Sequence, residues 1–411
     1  MKIDKFLLGT AAAVLALVHA ASAQTPIYIS GAPATRAIWN QAILDTLGAN
    51  GTGSPTLTEY YTGSNFNTSN QVAVTGGNIG GTPVTIYGSW DGSTSGNQSV
   101  ANNPANTVTA FEVEFINTST STPNGGTTNL TNLQFPTINL SDTKQNTLPF
   151  NSTTTLTSPP TSYVALTEAT PTSPAVTGFE FVANAGSPST LSNVTTNLAR
   201  QLYTSDYGIP LSFFSALTSD TGTIVYPIGR DIGSGARYIF DAESGIGAAN
   251  NASVVQFTPA TSSGTISDIV DNPSPAGTIN EIPFNEGNGG YSSTSAEEVP
   301  LEDTSIASIG YIIGYLTDSD AAQAIAKGAR ALTWNGVPYS VAGIQQGQYT
   351  YWSFLHVYYN SANISSIAQT FANDLSSDLS TDTGTGAILS STLKVLRQND
   401  GALVTPNYTI P

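Results

Sequence analysis

The sequence contains no cysteine, and its 411 residues include only two histidines, His19 and His356. The absence of cysteine excludes disulfides, thiol catalysis, iron–sulfur clusters, cysteine-ligated zinc and lipid anchoring through cysteine. Because His19 lies in a leader described below, a histidine-based metal site or a Ser-His-Asp triad would depend on His356 alone. We expect no metal and no other cofactor, and we expect a protein that is not an enzyme.

Charged residues are also scarce. Lys and Arg number 11 and Asp and Glu 28, so 9% of residues are charged and the net charge is −17, whereas soluble domains carry about 25% charged residues. This acidic balance excludes a general electrostatic attraction to nucleic acid or to an anionic membrane surface. A hydrophobic content of 39%, with 18 Tyr, 15 Phe and 4 Trp, instead predicts a chain that folds around a core.

The first 23 residues have the pattern of a secretory signal peptide. A short basic start precedes an apolar run over residues 6–18, and Ala21-Ser22-Ala23 fits the small-residue cleavage motif. No later stretch approaches the ~18 uninterrupted apolar residues of a membrane helix. We therefore expect a mature chain that begins at Gln24, has no membrane span and is secreted to the periplasm or the cell exterior.

Strand patterns alternate with helix patterns along the chain, which favours an α/β fold with parallel strands. A strand at 27–29 leads into a helix with Trp39, Ile43 and Leu47 on one face. A second strand, 223–226, leads into a helix over 236–242. By contrast, the residues from 117 to 162 are rich in Thr, Asn, Ser and Pro, and we interpret them as an inserted surface segment.

The two strand–loop–helix junctions are candidate oxyanion sites, because a helix N-terminus presents unpaired N–H groups and a partial positive charge. The first junction offers Thr35 and Arg36, and the second offers Arg230 and Ser234. Ordinary helix capping also explains Gly, Ser or Thr at a helix start. Each junction alone therefore leaves both explanations open.

Three segments together resemble the oxyanion-binding segments of the phosphate-binding proteins of bacterial ABC importers, and they occur in the same order. They are Gly31-Ala32-Pro33-Ala34-Thr35, Gly92-Ser93 and Arg230-Asp231-Ile232-Gly233-Ser234-Gly235-Ala236. In addition, Ile309-Gly310-Tyr311 is similar to the strand with which that family's chain returns to its first lobe. The resemblance covers most of the chain between Ile27 and Asn360.

The resemblance implies the type-2 periplasmic binding-protein fold, with two α/β lobes, mixed sheets and a ligand cleft between the lobes. The expected division is a signal peptide at 1–23, the first part of lobe 1 at 24–175, lobe 2 at 176–305 and the completion of lobe 1 at 306–411. By the same resemblance we expect the protein to bind inorganic phosphate or a similar oxyanion and to serve an ABC importer permease. The residues implied to bind the ligand are Ala34, Thr35, Arg36, Ser93, Glu168, Arg230, Ser234, Gly235 and Ala236.

Three departures from the family pattern affect the expected site. Pro33 replaces a glycine and removes an N–H group, and Ala236 replaces a threonine and removes a hydroxyl. The family's acidic residue follows a strand in a Ser-Asp pair, and the nearest candidate here is Glu168. A carboxylate at that place would accept a proton from hydrogen phosphate and discriminate against sulfate, which has no proton to donate.

A second interpretation keeps the fold but makes the protein a subunit of an extracellular filament, sheath or surface layer with a degenerate ligand site. The Thr/Asn-rich segment at 117–162 has strand potential and could pair edge to edge in self-association. A hydrolase such as an alkaline phosphatase is disfavoured, because the mature sequence has no second histidine for a metal site.

Overall fold

The computed structural model describes residues 24–49, 56–102, 112–126, 128–147, 165–247, 254–262, 265–271, 277–279, 282–284, 289–304 and 309–407. The predicted signal peptide lies outside these ranges. Within them, no helix is both long and apolar enough to cross a membrane.

The strands, in chain order, are β1 (Thr25–Gly31), β2 (Thr58–Tyr61), β3 (Gln71–Ile79), β4 (Thr82–Ser89), β5 (Val113–Phe115), β6 (Asn132–Gln134), β7 (Ile138–Ser141), β8 (Thr167–Glu168), β9 (Ala175–Ala183), β10 (Asn193–Val194), β11 (Ile209–Pro210), β12 (Ile224–Pro227), β13 (Phe257–Ser262), β14 (Thr265–Asp271), β15 (Gly277–Ile279), β16 (Ile282–Phe284), β17 (Tyr311–Thr317), β18 (Arg330–Ala331), β19 (Thr333–Trp334), β20 (Trp352–Tyr359), β21 (Ile388–Leu389), β22 (Val395–Leu396) and β23 (Thr405–Pro406). The α-helices are α1 (Arg36–Ala49), α2 (Ser93–Asn102), α3 (Thr196–Tyr203), α4 (Ser212–Ser215), α5 (Gly235–Glu243), α6 (Thr294–Leu301), α7 (Asp318–Ala326), α8 (Val341–Gln345) and α9 (Ser366–Leu379).

One mixed sheet runs through the molecule in the order β11-β12-β17-β9-β20-β7-β1-β4-β3-β2. The pairs β1–β4, β1–β7 and β12–β17 are parallel, and the remaining neighbours in this order are antiparallel. These pairings confirm the predicted α/β class with mixed sheets.

Two long strands divide the sheet into two lobes. The first half of β20 pairs with β9, and its second half, from His356 to Tyr359, pairs with β7. Likewise β9 pairs first with β20 and then, from Phe179 to Ala183, with β17. Lobe 1 therefore contains β7-β1-β4-β3-β2, lobe 2 contains β11-β12-β17, and β9 and β20 connect them.

Each lobe has its own core. In lobe 1, Trp39, Ile43 and Leu47 of α1 are fully buried in one cluster with the sheet, as their four-residue spacing predicts. In lobe 2, an aromatic cluster includes Phe181 and Phe240. Burial of one such ring contributes about 1.5–3 kcal/mol.

The positions of two strands differ from those expected. Strand β17, expected to return the chain to lobe 1, pairs with β12 and β9 and lies in lobe 2, and the return occurs with β20. Strand β7 lies within the expected surface segment 117–162, yet it is buried in the sheet between β1 and β20. A strand's position depends on its pairing partners, and the composition of its flanks does not specify them.

Another part of the same segment covers an edge of the sheet. The N–H of Asn124 donates to the carbonyl of Glu59 in the edge strand β2 at 2.7 Å, and the Tyr61 hydroxyl donates to the Asn124 carbonyl at 2.9 Å. This segment therefore satisfies polar groups of an edge that would otherwise be open to pairing with another chain.

Candidate functional site

The two lobes meet at loops that follow the carboxyl ends of parallel strands. In lobe 1 these loops follow β4 and β7, and in lobe 2 the facing loop follows β12. The N–H of Thr94 donates to the carbonyl of Gly233 across the cleft at 3.2 Å. Gly92 has a φ of 126°, and a Cβ there would overlap the same carbonyl, so glycine is required by both conformation and space.

Asp142 is the carboxylate at this meeting point. It follows β7 directly and is 1% exposed. Its Oδ1 accepts hydrogen bonds from Ser93 Oγ at 2.6 Å and Thr143 Oγ1 at 3.0 Å, and its own N–H donates to Ser93 Oγ at 3.1 Å. Its Oδ2 is buried without a hydrogen-bond partner among the described residues.

Burial raises the pKa of Asp142, while hydrogen bonds from Ser93 and Thr143 and the positive charge of Arg230 act in the opposite direction. Arg230 is therefore the cation that favours the ionised form of this carboxyl.

Arg230 is fully buried and lies just beyond β12. Its Nε donates to the Tyr291 carbonyl at 3.0 Å and its Nη2 to the Ser292 carbonyl at 2.8 Å. Nη1 has no hydrogen-bond partner among the described residues. A buried guanidinium whose Nη1 amino group is unused is a strong potential donor to an anion, because its desolvation is not yet compensated.

Helix α5 begins at the same point. Ser234 is its N-cap residue and makes no capping hydrogen bond through its side chain, and Gly235 and Ala236 are its first two residues. A Cβ on Gly235 would overlap Asp142 Oδ1 and Thr143 Oγ1, so the helix start lies directly against the Asp142 loop. Gly235 thus lies against Ser93, Asp142 and Thr143, with Ser234 and Ala236 beside it in the chain and Arg230 four residues before Ser234.

The first predicted loop contacts this group through its backbone, because the Gly92 N–H donates to the Gly31 carbonyl at 2.9 Å, but the N–H groups of Thr35 and Arg36 are used elsewhere. The N–H of Thr35 donates to the Ala32 carbonyl at 3.4 Å and that of Arg36 to Pro33, because residues 33–35 form a 3-10 turn. Ala34 is buried in the aromatic cluster of lobe 2. The expectation that these N–H groups hold an oxyanion is therefore wrong, since both are used within the turn.

Thr35 and Arg36 instead face the start of α7 in lobe 2. Arg36 donates through Nη2 to Asp320 Oδ1 at 3.1 Å and through Nε to the Thr68 carbonyl at 2.9 Å. Thr35, with Asp318 and Ser319, lines a small cavity of about 110 Å³ between the lobes.

Glu168 lies in a different environment from the one expected. Its Oε1 accepts hydrogen bonds from His356 Nδ1 at 2.8 Å and from the Ser173 N–H at 2.6 Å. Although burial acts to raise it, His356 and Ser173 hold the pKa of Glu168 below its ordinary value. Glu168 lines a surface cavity of about 480 Å³ with Lys144 and Tyr358. Its assignment as the acidic residue of the oxyanion site is not supported by these contacts.

Asp142 is not among the site residues predicted from the sequence, although its surroundings carry a signal. The residues Ile138-Asn139-Leu140-Ser141-Asp142 form a short apolar strand followed by Ser-Asp, which is the arrangement expected of the acidic residue. The Thr/Asn-rich composition around them favoured a surface segment and hid the strand. Within the described ranges, no group of three or more His, Asp or Glu is placed to hold a metal ion.

No known protein-family profile matches the sequence, and no curated protein matches it. Among solved structures, the chain is similar to a putative phosphate ABC transporter substrate-binding protein with bound phosphate from Clostridium perfringens, with 11% identity, a TM-score of 0.47, and coverage of 89% of this chain and 99% of that one. It is also similar to an ABC-type phosphate transport receptor from Vibrio cholerae (12% identity, TM-score 0.45, coverage of 89% and 100%). A third similar structure is a phosphate-binding protein from Stenotrophomonas maltophilia (14% identity, TM-score 0.37, coverage of 90% and 98%).

Proposed function

We propose that the protein captures an oxyanion, most suitably phosphate, between its two lobes and makes or breaks no covalent bond. The observation that carries the proposal is the pair of unused polar atoms at the cleft, Nη1 of Arg230 and Oδ2 of Asp142. A ligand that offers an oxygen to the guanidinium and a proton to the carboxylate satisfies both. Hydrogen phosphate has both groups, whereas sulfate lacks the proton.

The site supplies positive potential without a basic surface. Arg230 contributes a full charge, and the first N–H groups of α5, at Gly235 and Ala236, contribute the positive end of the helix dipole. Both act in a buried region, where electrostatic interactions are less screened than in water. The net charge of −17 therefore does not prevent anion binding, although it does not steer anions from a distance.

Ser93 has a different role in this proposal from direct contact with the ligand. Its hydroxyl hydrogen is used in the 2.6 Å bond to Asp142 Oδ1. Together with Thr143, it fixes the orientation of the carboxyl group and keeps Oδ2 available. The discrimination between anions then depends on the position of one acceptor atom.

Direct contacts between the lobes couple capture to closure. Because the Thr94 N–H hydrogen-bonds to the Gly233 carbonyl and Arg230 is fully buried, we expect an anion to reach Arg230 when the lobes separate. A ligand that contacts both lobes favours the closed arrangement by its differential affinity. The predicted signal peptide supports a location outside the cytoplasm, where the protein would deliver the captured anion to an importer permease.

The test is calorimetric titration of residues 24–411 with phosphate and then sulfate, after removal of carried-over anion by unfolding and refolding. We expect phosphate to bind and sulfate to be ignored. In Asp142→Asn, the ligand's proton loses its carboxylate acceptor, so phosphate affinity falls by about ten- to a hundredfold and sulfate gains affinity. Asp206→Asn, which removes the same charge from an exposed turn, is the matched control and leaves both titrations unchanged.

Absence of heat with both anions in a folded sample contradicts the proposal. Equal affinity for phosphate and sulfate in the unaltered protein contradicts the role of Asp142 but leaves Arg230 as the anion-binding group.

A specific observation favours a second function, that of a subunit in an extracellular assembly. The cleft loops contact each other directly, and Tyr207, Phe213 and Leu217 are exposed large apolar residues around the edge strand β11. Under this function the protein ignores anions and self-associates. Sedimentation as a function of concentration tests it, with Phe213→Ser expected to reduce association.

A further inference from the structure

We propose that residues 397–401, here called the strap, position the proposed oxyanion site by tying the Asp142 loop of lobe 1 to the end of helix α5 in lobe 2. Only the ligand-binding part of the inference rests on the proposed function, because the connection between the lobes is measurable without a ligand.

The strap is attached to the end of α5 at two points. Nη1 of Arg397 lies 2.6 Å from Oε1 of Glu243, and both side chains are almost completely buried. The same guanidinium lies over the Trp352 ring at 4.5 Å and donates to the Trp352 carbonyl at 2.7 Å. At the other end, Gly401 has a φ of 69°, and a Cβ there would lie 2.6 Å from the Cβ of Ala242. The strap therefore lies directly against the last turn of the helix.

The strap is also attached to the loop that carries Asp142. Oδ2 of Asp400 accepts hydrogen bonds from the Lys144 N–H at 2.9 Å and from Thr147 Oγ1 at 2.8 Å. The Lys144 ammonium donates to the Gln398 carbonyl at 2.7 Å. Asp400 is 8% exposed, so water competes little for these bonds.

The geometry connects the strap to both halves of the site. Asp142 is two residues before Lys144, and Gly235 begins the helix whose last residue is Glu243. A nine-residue helix is a rigid element about 13 Å long, so fixing its end restricts the position of its start. In addition, the negative charge of Asp400 acts on both Asp142 and Glu243.

The strap differs from the two strands that connect the lobes. Strands β9 and β20 are continuous chain and persist in any open form, whereas the Asp400 bonds are non-covalent and can break. The strap is thus placed to favour the closed arrangement and to slow release of a bound anion, as a positioning element that does not contact the ligand.

The first experiment measures the distance between the lobes. Because the chain has no cysteine, Ser64→Cys in lobe 1 and Ser219→Cys in lobe 2, both exposed, give a specific pair of spin-label sites. When Asp400→Ala is introduced into this labelled protein, we expect the distribution of distances between the two spin labels to shift or broaden toward longer values. Thr147→Val, which removes one hydrogen-bond donor to Asp400, is expected to have a smaller effect in the same direction. The control Asp206→Asn leaves the distribution unchanged.

The second experiment measures phosphate affinity and release in the same variants. Loss of the Asp400 bonds is expected to weaken binding about tenfold, mainly through faster release. Asp400→Asn retains an oxygen acceptor and is expected to restore most of the affinity, which a general loss of packing would not do.

Unchanged distances in both Asp400→Ala and Thr147→Val overturn the inference. If the unaltered protein binds no phosphate, the proposed function fails, and the distance measurement still decides whether the strap connects the lobes. If distances change but affinity does not, the strap connects the lobes without positioning the site, which also overturns the inference.

Discussion

Arg36 and Asp320 form a buried ion pair between the two lobes, with Nη2 of the arginine 3.1 Å from Oδ1 of the aspartate and side-chain exposures of 7% and 1%. Arg36 begins helix α1 of lobe 1, and Asp320 lies in the first turn of α7 in lobe 2. The aspartate also accepts hydrogen bonds from Thr294 and Thr317. The sequence resemblance assigned Arg36 a ligand-binding N–H group, whereas the structure uses its side chain to hold the lobes together.

Removing one member of this pair is expected to lower the free energy of unfolding substantially. Arg36→Met leaves the Asp320 carboxylate buried without its cation, and such losses cost about 3–5 kcal/mol. Urea unfolding measures the change. The double variant Arg36→Met/Asp320→Asn is expected to recover part of the loss, because the uncompensated charge is gone.

Lys327 provides the control for that prediction. It pairs with Glu302 and Glu298 but is 54% exposed, and Lys327→Met is expected to change the free energy of unfolding by less than about 1 kcal/mol. Similar costs for the two substitutions would contradict the importance of the buried pair.

The buried carboxyl of Glu297 predicts a dependence of stability on pH. Burial raises the pKa of Glu297 to about 8, although Arg230 acts to lower it. The folded state therefore holds a proton that the unfolded chain releases near 4.5, the ordinary pKa of glutamate. This contribution to stability is fully present below pH 4.5 and is lost as the pH rises through 8.

We expect Glu297→Gln to flatten that dependence, because glutamine keeps an acceptor for the Tyr315 N–H, which donates to Glu297 Oε1 at 2.8 Å. Urea unfolding over this pH range measures it. Asp241, whose pKa burial raises to about 7, acts in the same direction, so some slope remains in the variant. An unchanged slope would show that Glu297 is ionised in the folded protein.

Gly235→Ala is expected to separate the lobes at the site. The added methyl group overlaps Asp142 Oδ1 and Thr143 Oγ1, and the contact can be relieved only by moving helix α5 or the Asp142 loop. Phosphate binding is expected to be lost in calorimetry while the far-ultraviolet circular dichroism remains that of the folded protein.

The matched control is Gly48→Ala in helix α1, where a Cβ meets no atom within 4 Å. It is expected to leave binding unchanged and to stabilise the helix by about 0.5–1 kcal/mol. If Gly235→Ala still binds phosphate, the close approach of Gly235 to the Asp142 loop is not required for binding, which contradicts the prediction.

Glu168→Gln is expected to leave anion selectivity unchanged, in contrast to Asp142→Asn. The pKa of Glu168 is lowered in the folded state by His356 and Ser173, against the effect of burial. Its ionised form therefore stabilises the fold above its ordinary pKa, and this contribution is lost as the pH falls through the lowered value. We expect thermal unfolding at neutral pH to show a lower midpoint for the variant. A gain of sulfate binding in Glu168→Gln would contradict this prediction and would place Glu168 in the oxyanion site.

Local patterns predicted several elements correctly. The spacing of Trp39, Ile43 and Leu47 predicted α1, and the strand 223–226 followed by a helix near 236 corresponds to β12 and α5. These features depend on contacts between residues close in sequence, so periodicity and capping preferences reveal them. The motif around Ser234 was placed at a helix start for the same reason.

The pairing of strands that are distant in the sequence could not be predicted from those local patterns. Ile138–Ser141 has the sequence of a short strand within a polar segment, and only its partners in β1 and β20 make it a buried strand of the sheet. Glu168 and Asp142 both follow short apolar stretches, and the sequence offered no reason to place one beside Ser93 and the other beside His356.

The α/β class, the order of the helix-start motifs and the exclusion of thiol chemistry follow from composition or short-range spacing, so the amino-acid sequence is enough to predict them. The contact of Asp142 with the start of α5, the pairing of Arg36 with Asp320 and the position of β17 in lobe 2 are visible only in the folded chain. Those relationships depend on strand register and on the approach of the two lobes, which arise from contacts between residues distant in the chain.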